Sequence, residues 1–225
     1  MSEKNDTMEF AEIKKNEKAE ITEQVSTIKF GKPYRFEGQE YTEIDLGGMD
    51  KLTVKDVMDI QKQLMRDGEE AASTIMEVST AFACAVAAKA TELPIEFFKL
   101  MPRGTVRKVR AAVVKHINYD TEDGTTVALS KPYTYQGTED ESICGKTYTA
   151  VDFAGMAAMN ALNESKAENR VAAQGFLTSS ANTNYWYMCS MASMATGLPE
   201  DFFIKLPMAE ILRIKNMVND PDFLE

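Results

Sequence analysis

The sequence predicts a mainly α-helical α+β protein with two tandem homologous modules, each a short N-terminal β-hairpin followed by a bundle of about four helices. Two ordered repeats carry this prediction. Residues 90–98, ATELPIEFF, return 105 positions later as ATGLPEDFF, and Lys32-Pro33-Tyr34 returns 99 positions later as Lys131-Pro132-Tyr133. A repeat period this long indicates a tandem pair of modules instead of a solenoid of short units.

A third match supports the same division. Leu52-Thr53-Val54 with Asp56 aligns with Tyr148-Thr149-Ala150 with Asp152 at an offset of 96, and Cys84 and Pro102 match Cys189 and Pro207 at 105. A module of about 90 residues can bury its own core. We expect a flexible charged N-terminal arm over residues 1–28, module one over 29–117, a linker over 118–130 and module two over 131–225.

Each module is expected to open with a hairpin. Aromatic residues alternate around Gly38 from Tyr34 to Tyr41, and the second copy reads Tyr133-Thr134-Tyr135-Gln136-Gly137, which predicts a turn at Gly137. Thr53, with Asp56 three residues later, then predicts a capped helix start.

Apolar spacing predicts the helices that follow. In module one, a helix that ends at Gly68 precedes a long helix over residues 69–90, and module two is expected to use residues 151–162 and 167–196 in the same roles. Pro94 and Pro199 predict short helices that carry paired phenylalanines. A last helix carries apolar residues at helical spacing in each copy: Val106, Val109 and Val113, then Ile211, Ile214 and Val218. The inner face of the long helix in module one is expected to hold Ile75, Val78, Phe82, Ala85 and Val86.

Charge and composition argue against several classes of partner. The net charge of −10 disfavours nucleic-acid binding, which needs a positive surface to displace phosphate counterions. The first residues do not follow the pattern of a signal peptide, and the longest apolar stretch, residues 81–88, is too short to cross a bilayer. Cys84, Cys144 and Cys189 form no even framework, which suits reduced thiols in a cytoplasm.

Candidate catalytic and metal-binding residues are few. His116 is the single histidine and has no positioned serine or cysteine partner, so a histidine at a helix end is expected instead of a triad. Asp120, Glu122 and Asp123 lack the ligand spacing of an EF-hand and are expected in an acidic linker turn. We therefore expect a protein that is not an enzyme and needs no cofactor and no metal.

Two features remain as candidate partner-binding sites. The pairs Phe97-Phe98 and Phe202-Phe203 lie on predicted helices, where neighbours point about 100° apart, so either both rings fill the core or one stays near the surface. Residues 97–117 carry no acid and six cations: Lys99, Arg103, Arg107, Lys108, Arg110 and Lys115. This face is either solvated or meets an acidic helix, such as the chain's own arm or a second copy. The equivalent part of copy two keeps Lys205, Arg213 and Lys215 and adds Glu210, which favours a single-copy role.

Together, these residues resemble phage tail assembly chaperones. The resemblance rests on a strand pair after Lys-Pro-Tyr, a Leu-Thr-x-x-Asp helix start and an Ala-Thr-x-Leu-Pro-x-x-Phe-Phe segment before a last helix. The small chaperones of contractile, Mu-like and P2-like tails are the most similar. Thr196-Gly197-Leu198-Pro199 matches their Thr-Gly-Leu-Pro motif, whereas the first copy has Glu92 at the glycine position. The resemblance covers both modules but not the arm, and the fusion of two modules departs from a family of mostly single ones.

The resemblance implies a non-catalytic role in the host cytoplasm. Such chaperones bind the tape measure protein, a very long helical chain, recruit tail tube subunits, and are absent from the mature virion. Self-association is left open, and neither nucleic acid nor membrane is an expected partner. The expected partner-binding residues are Phe97, Phe98, Phe202, Phe203, Arg103, Arg107, Lys108 and Arg110. The alternatives are a virion structural protein, such as a head–tail connector or tail-completion protein, and a small-ligand-binding domain or enzyme.

Overall fold

The computed structural model describes residues 26–69, 76–117, 124–176 and 178–220. Most of the predicted arm, over residues 1–25, and residues 118–123 of the predicted linker lie outside this part of the chain. We call residues 27–117 the N-terminal half and residues 126–218 the C-terminal half. Since the first strand of the C-terminal half begins at Thr126, the stretch predicted as linker, 118–130, includes the start of a strand.

The two halves have the same order of elements. The N-terminal half contains β1 (Thr27–Phe36), β2 (Gln39–Asp45), α1 (Val54–Arg66), α2 (Thr80–Thr91), α3 (Ile95–Lys99) and α4 (Arg103–Ile117). The C-terminal half contains β3 (Thr126–Thr134), β4 (Thr147–Asp152), α5 (Ala161–Ala172), α6 (Tyr185–Thr196), α7 (Glu200–Ile204) and α8 (Ile211–Val218). Short 3-10 turns occupy Gly47–Lys51, Met76–Val78, Ala154–Ala158, Thr178–Thr183 and Met208–Glu210. The predicted mainly helical α+β class is confirmed.

Each half opens with an antiparallel strand pair, and the two registers correspond. Tyr34 lies opposite Tyr41, and Tyr133 lies opposite Tyr148, with a register shift before each pair. The first pair turns at Glu37 and Gly38, both at positive φ, as a two-residue turn requires. In the second pair β4 begins only at Thr147, so the connection is much longer and the predicted turn at Gly137 is wrong.

The predicted helix boundaries need three corrections. The predicted helix over residues 69–90 is interrupted before α2. Ser79 caps the start of α2, because its hydroxyl oxygen accepts a hydrogen bond from the Phe82 amide at 3.1 Å. Residues 167–196 are likewise divided, since Asn184 caps α6. Residues 148–152 lie in β4, so the alignment of Leu52-Thr53-Val54 with Tyr148-Thr149-Ala150 at an offset of 96 is wrong, as is a helix over 151–162.

The corresponding helix starts are 107 positions apart. Thr53 caps α1 and Asn160 caps α5, and each forms a capping box with the third residue of its helix, Asp56 or Asn163. In the second copy, asparagine stands at both capping-box positions in place of threonine and aspartate. This explains why the sequence pattern did not reveal the match. The extra residues lie in the second hairpin connection.

A close backbone contact follows each hairpin. At Gly48 a Cβ atom would overlap the carbonyl oxygen of Ala90, and at Gly155 it would overlap that of Ala195. The 3-10 turn therefore packs directly against the C-terminal end of the central helix, α2 or α6, in each half. Glycine permits this approach because it has no side chain.

The two halves share one core. All the buried apolar side chains that the structure describes, except that of Ala209, form a single cluster that extends through both halves. Backbone hydrogen bonds also join them: the Val54 amide donates to the Leu206 carbonyl at 2.9 Å, and the Met208 amide donates to the Leu52 carbonyl at 2.8 Å. The start of α1 is thereby fixed against the segment that follows α7.

Candidate functional site

The paired phenylalanines lie in the core. Phe97, Phe98, Phe202 and Phe203 are all fully buried. Of the two alternatives, the one in which both rings of each pair fill the core is confirmed, and the one in which a ring stays near the surface is wrong. They are buried because each short helix lies under its own hairpin. A partner therefore cannot contact these rings in this conformation.

The hairpin aromatics surround the first ring of each pair. The ring centroids of Tyr34, Phe36 and Tyr41 lie 5.1, 5.3 and 4.7 Å from that of Phe97, mostly edge to face. Three tyrosines pack on Phe202 in the same way, at 5.3, 5.7 and 4.9 Å: Tyr133, Tyr135 and Tyr148. Aromatic contacts of this kind stabilise beyond the area that they bury. The repeated Phe-Phe corner is thus the attachment point of each hairpin.

A surface groove lies beside this corner in the N-terminal half. It has a volume of about 370 Å³ and is formed by the start of α2, the end of α3 and the first two turns of α4. We call it the basic groove; it is lined by Thr80, Lys99, Met101, Arg103, Val106, Arg107 and Arg110. Its lining combines four cations with two apolar side chains.

Two exposed apolar residues lie close in sequence to residues that line the groove. Leu100, the chain neighbour of Lys99 and Met101, is 69% exposed, and Val78, two residues before Thr80, is 49% exposed. The prediction that Val78 belongs to the inner face of the long helix is wrong, because that helix begins after it. Leu100 was not among the predicted binding residues. Its counterpart in the second copy, 105 positions later, is the charged Lys205. An apolar residue at a position that is charged in the other copy is the signal that could have identified Leu100.

Three arginines of the groove are available to a partner. Arg103, Arg107 and Arg110 are exposed, and within the described part of the chain no carboxylate forms an ion pair with them. The ammonium nitrogen of Lys99 lies 3.4 Å from Oε1 of Glu69. Lys108 points to the neighbouring strand, where its ammonium group donates to the Lys29 carbonyl at 3.4 Å. The structure thus brings Arg103, Arg107 and Arg110 together and places Lys108 beside β1.

The cations of the matching region in the C-terminal half all contact other groups of the same chain. Lys205 pairs with Asp201 at 2.9 Å, and Lys215 pairs with Glu77 at 2.5 Å. Arg213 donates to the Ala128 carbonyl and lies 3.9 Å from Glu210. The last helix therefore has a different role in each half. The cations of α4 face solvent, whereas Arg213 and Lys215 of α8 bind other elements of the fold.

A polar cluster at the contact between the halves was not predicted. The Tyr185 hydroxyl donates to Glu77 Oε1 at 2.7 Å, and the Lys215 ammonium group donates to the same oxygen. Burial alone would raise the pKa of Glu77, but the charge and hydrogen bond of Lys215 with the bond from Tyr185 hold it below its ordinary value. Burial, together with the charge of Glu77 and the hydrogen bond to it, raises the pKa of Tyr185 well above its usual range.

A second buried acid joins the last helix to the second hairpin. Glu210 is almost fully buried and accepts from the backbone amide of Ser130 at 2.9 Å and from its hydroxyl group. The acid at position 210 was visible in the sequence as a difference between the copies. Its partner was not, because the hydrogen bond spans 80 residues.

His116 has no arrangement for catalysis within the described part of the chain. Its Nδ1 atom lies 3.9 Å from Oδ1 of Asp50, which itself pairs with Lys131 on the surface. Burial lowers the pKa of His116 below its ordinary value, in spite of the carboxylate. Cys84 and Cys189 are buried and burial raises the pKa of each thiol, whereas Cys144 is exposed.

Neither a metal site nor a membrane span is found in the described residues. They contain no group of three or more histidine, cysteine, aspartate or glutamate side chains that could hold a metal ion. Asp120, Glu122 and Asp123, the acids of the predicted linker turn, lie outside them. Among the helices that the structure describes, none combines the length and apolar character needed to cross a membrane.

Comparison with models of known protein families gives a match to the N-terminal half. The family model described as "Phage tail assembly chaperone proteins, E, or 41 or 14" matches residues 27–117, which is the N-terminal half and includes the basic groove. No curated protein and no solved structure matches the chain.

Proposed function

We propose that this chain is a tail assembly chaperone that binds the tape measure protein through the basic groove, because the family model of phage tail assembly chaperones matches residues 27–117. The observation that carries the proposal is the set of three exposed arginines that line the groove together with Met101 and Val106, and that form no ion pair with a carboxylate of the described residues. This surface lies in the half that the family model matches.

The chemistry of the groove fits an acidic amphipathic helix. A long helix destined for the inside of a tube has an apolar stripe that is prone to aggregation until it is covered. Met101 and Val106 line the groove, and the exposed Leu100 is a chain neighbour of Met101, so apolar side chains of the partner can bury there. The arginine side chains then pair with carboxylates that flank the stripe. Many such sites along one tape measure chain give avidity without tight single contacts.

We also propose that the two halves are tandem copies of one module. Support comes from the shared order of elements, the matching tyrosine registers, the capping boxes at Thr53 and Asn160, and the tight glycines Gly48 and Gly155. In this proposal the second copy uses its last helix to close the joint core, and the first copy keeps its last helix for the partner.

The proposed chaperone is not an enzyme and works without a cofactor. It acts in the host cytoplasm, delivers tail tube subunits to the tape measure protein, and leaves before the tail is complete. A head–tail connector or tail-completion protein would instead stay in the particle. Mass spectrometry of purified mature virions separates the two: the proposal requires that the chain be absent, and stoichiometric amounts would contradict it.

Binding to the tape measure protein tests the groove directly. The full chain and the tape measure protein are co-expressed and the complex is captured, with Arg103→Glu, Arg107→Glu and Arg110→Glu combined in one variant. We expect the affinity to fall about tenfold or more at low salt, because close charge pairs become repulsive. The matched control reverses three exposed cations that line no part of the groove: Lys51, Arg66 and Lys166.

The control changes the net charge by the same amount, so it should bind like the wild type. Higher salt should weaken wild-type binding and partly restore binding by the groove variant, since attractive and repulsive charge pairs are both screened. Equal binding by the wild type and the groove variant would contradict the proposed site. Loss of binding in both variants would show an effect of net charge alone.

A further inference from the structure

The N-terminal segment of the chain has the chemistry that the basic groove recognises. Residues 1–13 contain one lysine side chain and four carboxylates: Glu3, Asp6, Glu9 and Glu12. Met8, Phe10 and Ile13 lie among these acids. We call residues 1–13 the acidic segment. The segment thus combines apolar and acidic side chains, as the proposed tape measure helix does.

The chain enters the fold beside the helix that carries the groove. The Ser26 carbonyl accepts from the Leu46 amide at 2.7 Å, and Ile28 is buried in the core. The next residue, Lys29, accepts from Lys108 on α4 at 3.4 Å. Lys108 adjoins Arg107 in the sequence, so the entry point of the chain lies next to the groove's own helix.

The connecting residues are long enough to reach any part of the groove. Residues 14–25 span up to about 40 Å when extended. The helix α4 has 15 residues and is about 22 Å long. The acidic segment can therefore return along α4 to Arg103 without displacing β1.

We infer that the basic groove binds the acidic segment of the same chain when no partner is present. Phe10 would occupy the apolar floor at Met101 and Val106, and Glu9 and Glu12 would pair with Arg103 and Arg107. A tether of this length gives a local concentration in the millimolar range, so even a weak contact fills the groove. This inference rests on the proposed function for its consequence: the segment competes with the tape measure protein.

Photocrosslinking in the full chain tests the contact. A photoreactive p-benzoylphenylalanine replaces Phe10, the protein is irradiated as a monomer, and the crosslinked peptides are mapped by mass spectrometry. We expect crosslinks within one chain to peptides that contain residues 99–110. Arg103→Glu with Arg107→Glu should reduce the yield about tenfold, and Lys51→Glu with Arg66→Glu should leave it unchanged.

A charge swap makes the test independent of folding defects. Adding Glu9→Arg and Glu12→Arg to the Arg103→Glu, Arg107→Glu protein should restore the crosslinks, because the signs are complementary again. Crosslinks that map elsewhere, that do not respond to the groove reversal, or that join two chains would each overturn the inference. Crosslinks between chains would indicate that a second copy occupies the groove.

The competition is measured separately from the proposed function. Glu9→Lys with Glu12→Lys should raise the affinity of the full chain for the tape measure protein by about three- to tenfold, since the groove is no longer occupied. Unchanged affinity with otherwise normal binding would overturn the inference alone. If the wild type and this variant both fail to bind the tape measure protein, the proposed function fails, while the crosslinking result still decides the intramolecular contact.

Discussion

Lys215 in α8 places its ammonium nitrogen 2.5 Å from Oε1 of Glu77, a residue 138 positions earlier in the chain. Both side chains are largely buried, and the Tyr185 hydroxyl donates to the same carboxylate. One ion pair therefore ties the last helix to the N-terminal half. It also withdraws from solvent a cation whose counterpart at offset 105, Arg110, lines the basic groove.

The Glu77–Lys215 pair should make stability depend on pH. The pKa of Glu77 is lower in the folded protein than its ordinary value, so the pair stabilises the fold above the unfolded pKa of about 4.3. That contribution is lost as the pH falls through the folded pKa. Glu77→Gln should lower the free energy of unfolding by about 1–3 kcal/mol at pH 7, because Lys215 loses its carboxylate.

Urea denaturation at pH 7 and pH 3 measures this effect. The difference in the free energy of unfolding between wild type and Glu77→Gln should be smaller at pH 3 than at pH 7, because the contribution of the charged carboxylate declines as the pH falls toward and through the folded pKa of Glu77. Glu96→Gln, at an exposed position on α3, is the control and should change little at either pH. If Glu77→Gln lowers the free energy of unfolding equally at both pH values, the side-chain amide disrupts packing and the charge contributes nothing.

The buried phenylalanines should determine stability and not partner contact. Phe98→Ala and Phe203→Ala each remove a fully buried ring, and we expect the free energy of unfolding to fall by about 3–5 kcal/mol. Leu100→Ala, at an exposed position two residues from Phe98, should change it by less than about 0.5 kcal/mol. Guanidinium denaturation provides the comparison. Full stability in Phe98→Ala would contradict the core position of this ring.

The residue that ends the central helix has a backbone conformation that favours glycine. Gly197 follows α6 with φ 71°, and its counterpart Glu92 follows α2 with φ 59°. A left-handed conformation costs a non-glycine residue about 1–2 kcal/mol, which exceeds the roughly 0.5–1 kcal/mol of chain entropy that glycine costs. Gly197→Ala should therefore destabilise the protein by about 1 kcal/mol, and Glu92→Gly should stabilise it by about 0.5 kcal/mol.

Thermal unfolding of the two variants and of Gly31→Ala checks this prediction. Gly31 lies in β1 without a positive φ, and a Cβ atom added there would meet no other atom within 4 Å, so alanine should be tolerated. A loss of stability in Glu92→Gly would indicate that the Glu92 side chain contributes a contact that outweighs its backbone strain. The departure from the Thr-Gly-Leu-Pro motif in the first copy would then be compensated locally.

Local sequence features by themselves determined the class of this protein and the repeated parts of its fold. The alternating aromatics around Gly38 define a hairpin, and the Pro94 and Pro199 segments define the short helices with their phenylalanine pairs. These features depend on neighbours within a few residues, where side-chain periodicity and turn chemistry act directly. The division of the long helices was missed because Ser79 and Asn184, the residues that cap the second part, do not interrupt the apolar spacing strongly.

Only the tertiary structure decided which cations can contact a partner. Arg110 and Lys215 occupy the same position, at an offset of 105, on the last helix of their half. The difference arises because α8 lies against Glu77 and the Ala128 carbonyl, whereas α4 faces solvent at the groove. Such pairings join residues 80 or more positions apart, so they depend on how the halves pack and not on any local pattern.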